Sequence, residues 1–254
     1  MIATKNVFKH ALKERQQLGM FSTLGSTTLL ELLAGCGFDW ILIDTEHSAN
    51  DLPEVVAQLQ VLRSTAVSPI VRPAWSDMIA VKRILDAGAQ TLLFPSISNA
   101  EEARRAVSFT RYPPQGVRGV SGSSRAASYG QHPDYLRTAQ DELCVIVQIE
   151  TVEGLENIEN IAAVEGVDAV FIGPADLSAA MGHLGNGQHP DVQAAVDEGF
   201  ARLRKVGKPA GYLTLNEAEA TRRIAEGVEF VGVATDTSIV NRGAKSLLQG
   251  FSNR

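Results

Sequence analysis

Short runs of apolar, often β-branched residues recur along the chain, each followed by a turn and a stretch with helical spacing. The runs at 20–24 (MFSTL), 40–44 (WILID), 69–72 (PIVR), 91–95 (TLLFP), 144–150 (CVIVQIE), 169–173 (AVFIG), 210–214 (AGYLT) and 230–234 (FVGVA) predict eight strands. They do not alternate polar with apolar, as expected of parallel strands covered on both faces. The segments between them carry helix start signals: Asp51 to Glu54, Ser98 to Glu101 and Asn216 to Glu219 read as capping boxes, and Pro190 suits a first helical turn. Gly88 and Gly227 suit helix ends. Residues 1–19 read as an amphipathic helix. Eight βα units without a linker predict an α/β fold, a closed (β/α)8 TIM barrel, as one domain over residues 1–254. No GxGxxG or GxxxxGK[ST] loop follows the first strand, which disfavours an open doubly wound sheet.

Composition narrows the classes. A chain of 254 residues with 44% hydrophobic and 20% charged residues fits one soluble barrel domain. A net charge of −6 argues against a nucleic-acid or anionic-membrane surface, while leaving room for a local basic pocket. The N-terminal stretch lacks the apolar core of a signal peptide, and no run approaches the length of a membrane span; both point to a cytoplasmic protein. Cys36 and Cys144 have no metal-type spacing and are expected to be buried, reduced thiols. One connection stands out: residues 111–132 form a long loop rich in Gly, Ser and Arg. Loops of this length in compact domains are usually functional.

Catalytic groups in such barrels sit at the C-terminal ends of the strands. There the second run ends in Asp44-Thr-Glu46-His47, the third in Arg72, the fifth in Gln148-Ile-Glu150, and the sixth leads into Gly173-Pro174-Ala175-Asp176. Glu150 and Asp176 lie one βα unit apart and should face each other across the mouth. Two such carboxylates repel, and a divalent cation relieves this; all-oxygen donors favour Mg²⁺ or Mn²⁺. A metal-free acid/base dyad and simple capping roles are the alternatives. Arg72, ending a buried strand, needs either a structural carboxylate or a bound anion. His47 is the best candidate base, with Asp44 three residues earlier as its orienting partner; a structural hydrogen-bonding role is the alternative.

The segments GFDWILIDTEHSANDL (37–52), VRP (71–73), TRYPPQGVRGVS (110–121), VQIET (147–151), EGVDAVFIGPADLSAAMGHLGN (165–186) and HPDVQ (189–193) closely resemble the metal-dependent class II 2-oxo acid aldolases, the family of 4-hydroxy-2-oxoheptane-1,7-dioate aldolase and 2-dehydro-3-deoxyglucarate aldolase. The resemblance runs from about residue 7 to residue 250, and the DxEH, QIE and GPxDL motifs are specific in combination. It implies a (β/α)8 barrel, a Mg²⁺, Mn²⁺ or Co²⁺ ion, and reversible cleavage of a 4-hydroxy-2-oxo acid to pyruvate and an aldehyde. By motif, Glu150 and Asp176 correspond to metal ligands, Arg72 to the group that stabilises the enolate, and His47 to the base with Asp44 beside it. Gln148 corresponds to a neighbour of the ligands, and the backbone of Gly173, Pro174 and Ala175 to a carboxylate cradle. Ser124, in the long loop, is placed with the substrate-binding residues. The family also implies a hexamer whose dimers exchange the C-terminal helix, here about 237–249. Thr45, FPSIS (94–98), the region of Tyr212 and the loop SGSSRAASYG (121–130) depart from the named relatives on the aldehyde side. Competing readings are a 2-oxo acid decarboxylase or citryl-type lyase on the same scaffold, the latter wanting a basic nucleotide track that the chain lacks, and a non-catalytic barrel.

Overall fold

A computed structural model describes residues 5–251. Eight parallel strands, β1 (Gln17–Ser22), β2 (Trp40–Asp44), β3 (Ser68–Arg72), β4 (Thr91–Phe94), β5 (Cys144–Ile149), β6 (Ala169–Ile172), β7 (Ala210–Leu213) and β8 (Phe230–Thr235), close into a barrel in sequential order. The helices are α1 (Val7–Ala11), α2 (Thr27–Ala34), α3 (Leu52–Leu62), α4 (Met78–Asp86), α5 (Ala100–Thr110), α6 (Tyr135–Glu142), α7 (Val152–Glu156), α8 (Ile158–Ala162), α9 (Pro174–Ala180), α10 (Pro190–Lys205), α11 (Glu217–Ala225) and α12 (Asp236–Gln249).

The period-2 alternation of each strand sorts its side chains into two cores. Ile41, Ile43, Val71, Val145, Val147 and Ile172 face the helices. Trp40, Leu42, Ile70, Ile146, Phe171 and Phe230 fill the barrel interior, where Phe8 of α1 closes the lower end with its ring 5.4 Å from that of Phe230. The interior parity continues upward through Asp44, Arg72, Gln148 and Glu150, so the residues that follow the apolar plug are the polar ones at the mouth. The plug is tight. A Cβ on Gly19 would lie 2.0 Å from the Trp40 ring, so the indole occupies space that only glycine leaves open.

The strands fall where the pattern predicts, with one shift. β1 begins at Gln17, three residues before the expected run, and α1 spans five residues instead of a long N-terminal helix; residues 1–4 of that expectation lie outside the described residues. The Asp51–Glu54 capping box forms as expected. In the next one the cap is Asn99, and Glu102 returns to the Ser98 amide, one residue later than predicted. Asn216 caps α11, but Glu219 turns inward to accept from Tyr212 (2.9 Å) and Thr214 (2.6 Å) instead of closing a box. Pro190 opens α10, and Gly88 and Gly227 take positive φ (102° and 88°) just after their helices. Cys144 is buried, whereas Cys36 is exposed, because it lies in the turn beyond the α2 C-cap. Among the described residues, no helix is long and apolar enough to cross a membrane.

Candidate active site at the barrel mouth

The register of β2 with β3 sets Asp44 directly beside Arg72. Arg72 donates from Nε to Asp44 Oδ1 (2.8 Å) and from Nη2 to Asp44 Oδ2 (2.7 Å), a two-pronged pair in which both side chains are buried. This corrects the expected Asp44–His47 pairing: the carboxylate is committed to the guanidinium, and its Oδ1 also accepts from the Glu46 amide (3.0 Å). The His47 side chain is 62% exposed, and its nearest recorded carboxylate oxygen is Glu46 Oε2 at 3.9 Å.

Glu46 is the residue whose role the sequence did not suggest. Its Oε2 lies 2.8 Å from Arg72 Nη1, close enough for charge pairing but not aligned as a hydrogen bond. Burial pushes its carboxyl upward, and the charges of Glu150 and Asp44 add to the shift against the pull of Arg72 and His47. Beneath, the Phe21 ring centroid lies 5.4 Å from the Arg72 guanidinium carbon. Burial tends to lower the Arg72 pKa, but Asp44, Glu46 and Glu150 outweigh it and hold the cation more firmly than usual.

Glu150 follows β5 and is buried. Its Oε1 accepts from the Ser96 amide (2.8 Å) and Ser96 Oγ (3.0 Å), and its Oε2 accepts from Gln148 Nε2. The Gln148 carbonyl turns towards Arg72 Nη1 at 3.5 Å, linking the two halves of the mouth. Ser96 sits at φ 53°, a left-handed conformation after Pro95 that turns its amide onto the carboxylate. Nothing in its residue type announced this. Burial pushes the Glu150 carboxyl up, opposed by the Ser96 bonds and reinforced by the charge of Asp176.

Asp176 is exposed in the first turn of α9, which Gly173 caps and Pro174 opens. A Cβ on Gly173 would come within 2.7 Å of both Glu150 Oε2 and Gln148 Nε2, so glycine is what admits the carboxylate there. The Gly173 amide is spent on Ile149 O (2.9 Å), whereas the amides of Ala175 and Asp176 have no carbonyl one turn back by helix geometry. The mouth therefore gathers Asp44, Glu46 and Glu150 around one arginine, with Asp176 adding a fourth carboxylate beside Glu150.

Ser124 is elsewhere. The loop after α5 returns to the lower end of the barrel, where the Ala126 amide donates to Asp86 O (3.1 Å) and Arg125 Nη1 to Ala87 O (2.6 Å) at the end of α4. Within one chain Ser124 lies at the end opposite the mouth, which corrects its placement with the substrate-binding residues. Asp236, which follows β8, is structural: it is buried and accepts from the Thr23 and Leu24 amides and from Thr23 Oγ1, tying the first loop to the last helix.

Residues 17–242 match the model of the HpcH/HpaI aldolase/citrate lyase family. The chain is 52% identical over 250 residues to a 4-hydroxy-2-oxo-heptane-1,7-dioate aldolase of Klebsiella pneumoniae, covering 98% of this chain and 94% of that protein. Among solved structures it resembles an HpcH/HpaI aldolase/citrate lyase family protein of Burkholderia cenocepacia (39% identity, TM-score 0.94, 97% and 99% of the two chains) and the citrate synthase SbnG (27% identity, TM-score 0.86, 96% and 97%). With the match running through every strand of the barrel and across the carboxylates of its mouth, this chain belongs to the HpcH/HpaI aldolase/citrate lyase family.

Proposed function

We propose that this protein reversibly cleaves a 4-hydroxy-2-oxo acid to pyruvate and an aldehyde, with a divalent cation held by Glu150 and Asp176. The observation that carries this reading is the excess of carboxylates at the mouth. Glu150 is buried, pushed towards protonation by its surroundings and faced by Asp176, and Arg72 is already matched by Asp44 and Glu46. A hard cation on these oxygens offsets the remaining repulsion, and Mg²⁺, Mn²⁺ or Co²⁺ suits the donor set. When bound, the ion supplies Lewis-acid stabilisation for the negative charge that develops as the carbon–carbon bond breaks.

The chain's own groups supply the rest. Arg72 is clamped by Asp44 through Nε and Nη2, which leaves Nη1 aimed at the side where Gln148 and Glu46 meet. Fixed in this way, the guanidinium donates to the 2-oxo acid and stabilises the enolate without reorganising. Gln148 holds Glu150 and contacts substrate through its amide. The turn Gly173-Pro174-Ala175 receives the substrate carboxylate on the unpaired amides of α9. His47, exposed at the rim, accepts the proton of the 4-hydroxyl as the bond to the aldehyde breaks, and returns it in the synthetic direction.

Assembly forms part of this reading. From Val240 to Gly250 every residue of the C-terminal segment is exposed, with Leu247 at 66% and Leu248 at 68%. Such an apolar face suits burial against a second copy, as in dimers that exchange this helix within a hexamer. The aldehyde and the cytoplasmic location belong to the same reading: a small carbonyl compound fits an anionic cytoplasmic enzyme that binds neither nucleic acid nor membrane.

The test is pyruvate release from a 4-hydroxy-2-oxo acid, coupled to lactate dehydrogenase. EDTA should abolish the signal, and Mn²⁺, Mg²⁺ or Co²⁺ should restore it. Glu150→Gln and Asp176→Asn should each lower turnover by roughly 10³-fold, as expected when several kcal/mol of charge stabilisation is lost. Full activity in a metal-free preparation would overturn the metal assignment. Failure with every 4-hydroxy-2-oxo acid, alongside citrate formation or cleavage, would favour the chemistry named for the citrate synthase relative.

A further inference from the structure

The segment between α9 and α10 holds a second group of ligand-type side chains that the aldol chemistry does not use. His183 and His189 stack with ring centroids 3.5 Å apart and planes 13° from parallel. Asp191, in the first turn of α10, points one oxygen at both: Oδ2 is 3.6 Å from His183 Nε2 and 3.7 Å from His189 Nδ1. Among the described residues this is the group of three His, Cys, Asp or Glu side chains that converge closely enough to share an ion, with all donor atoms within 4.8 Å of one another.

The backbone that carries them is fixed. The His183 amide donates to Ser178 O (2.7 Å) and the His189 amide to Asn186 O (3.0 Å). Gln193 donates to Gly187 O (2.7 Å), and Gln188 donates to the buried Glu219 (2.5 Å). The donors are thus presented from a braced loop. His189 Nδ1 accepts from the Asp191 amide (3.3 Å), a long bond that the ring gives up when it turns this lone pair onto an ion.

We propose that His183, His189 and Asp191 form a second cation site, separate from Glu150 and Asp176, that takes a borderline divalent ion such as Zn²⁺. Two imidazoles and one carboxylate select Zn²⁺, Ni²⁺ or Cu²⁺ over Mg²⁺, which prefers oxygen. Around a tetrahedral ion with bonds of about 2.0–2.1 Å, neighbouring donors stand roughly 3.3 Å apart. The 3.6 and 3.7 Å separations from Asp191 need to close by a few tenths of an ångström, and the two ring nitrogens, within 4.8 Å of each other, draw together as the rings turn. The stacked rings turn about their Cβ–Cγ bonds to aim both lone pairs at one point, and water fills the fourth position. Gly187 of the same loop lies against Pro174, so an ion here ties the loop to the turn that begins α9.

The test uses the full-length protein stripped with EDTA, dialysed against Zn²⁺ and assayed for bound metal. Wild type should bind one more Zn²⁺ per chain than His183→Gln, His189→Gln or Asp191→Asn, or each variant should bind that ion at least about tenfold more weakly. Mg²⁺ in excess should not displace it. With Co²⁺ as probe, wild type should show the intense visible bands of a tetrahedral site, and both histidine variants should lose them. Equal stoichiometry and affinity in wild type and all three variants overturns the proposal. So does loss of every bound Zn²⁺ in a Glu150→Gln, Asp176→Asn double variant with the histidines intact.

Discussion

Two buried arginines, Arg72 at the barrel mouth and Arg223 on α11, look alike by burial and differ in what surrounds them. Arg223 is fully enclosed. Its Nη2 donates to Gln193 Oε1 (2.8 Å) and lies 3.6 Å from Glu219, its Nη1 meets Asp197 and Glu226, and its guanidinium packs over the rings of Phe200 and Tyr212. Arg222 beside it brings a second positive charge against Asp197 and Glu226. Acid and base nearly balance there, so nothing is left over for a ligand. Around Arg72 three carboxylates, Asp44, Glu46 and Glu150, act on one guanidinium, Asp176 adds its charge against Glu150, and Glu46 and Glu150 are pushed towards protonation mainly by burial. A cluster that binds only itself tends to neutrality, whereas one left with net charge invites an external counter-charge. The imbalance, rather than burial, is what sets the mouth apart from the α11 cluster.

The sharpest way to break this contrast is to substitute Arg72. Arg72→Lys replaces a planar fork with a point charge, so Asp44 loses its two-pronged partner and the enolate its fixed donor. Turnover should fall about 10²–10³-fold, the scale of a lost oxyanion donor. Oxaloacetate decarboxylation, which passes through the same enolate, should fall with it. Near wild-type rates in both assays would place Arg72 with Arg223 as a structural residue.

His47→Ala separates the proposed base from the rest of the mouth. Aldol cleavage should drop by about 10²-fold or more, the usual scale of a general base. Oxaloacetate has no hydroxyl proton to remove, so its decarboxylation should be largely retained. Equal loss of both reactions would mean that His47 shapes the site instead of moving a proton. Asp44→Asn is informative here too, because Asp44 pairs with Arg72: its effect should follow the Arg72→Lys pattern, with both reactions impaired.

That pairing also shows what the sequence could carry. The eight strands were legible because a parallel barrel strand is buried on both faces and so reads as an unbroken apolar run, and the acidic strand ends were legible because the mouth lies at the C-terminal ends. Partner choice was not. Asp44 is three residues from His47 in sequence but lies opposite Arg72 in the β2–β3 register, and register is a property of two strands that neither reveals alone. The place of the long loop was hidden for a related reason. It follows a helix, so it returns to the lower end of the barrel and takes Ser124 with it, however rich in functional residue types it looks. Glu219 had the spacing of a capping residue, yet Tyr212 and Thr214 at the end of β7 needed a buried acceptor and drew it inward.

Arg223→Ala sharpens the comparison from the other side. Removing it leaves Glu219 buried without its cation, and breaking such a pair costs about 3–5 kcal/mol. The melting temperature should drop, while turnover per folded molecule stays close to wild type. A large fall in turnover at temperatures where the variant is fully folded would mean that the α11 cluster reaches the active site, through Gln188 and the loop it anchors.

The smallest effect is the one that depends on pH. Glu150 has its carboxyl raised from an ordinary value of 4.5, chiefly by burial, with Asp176 adding to the shift and the Ser96 bonds opposing it. A carboxyl raised in the folded state holds its proton better folded than unfolded. Its contribution to stability is therefore fully present below 4.5 and is lost as pH rises through the raised value. Glu150→Gln removes that titration and leaves the other carboxyls in place. In metal-free protein, the melting temperature of wild type relative to Glu150→Gln should thus decline as pH rises from about 5 to about 8. Mn²⁺ should reverse the trend, because the cation binds only the ionised carboxylate and stabilises the folded state by its own affinity. Wild type should gain more from the ion at the upper end of that range than at the lower, and the variant should gain little at either. If the two proteins melt in parallel across the range with and without Mn²⁺, Glu150 is neither the titrating group nor the ligand, and the charge imbalance at the mouth must be met in another way.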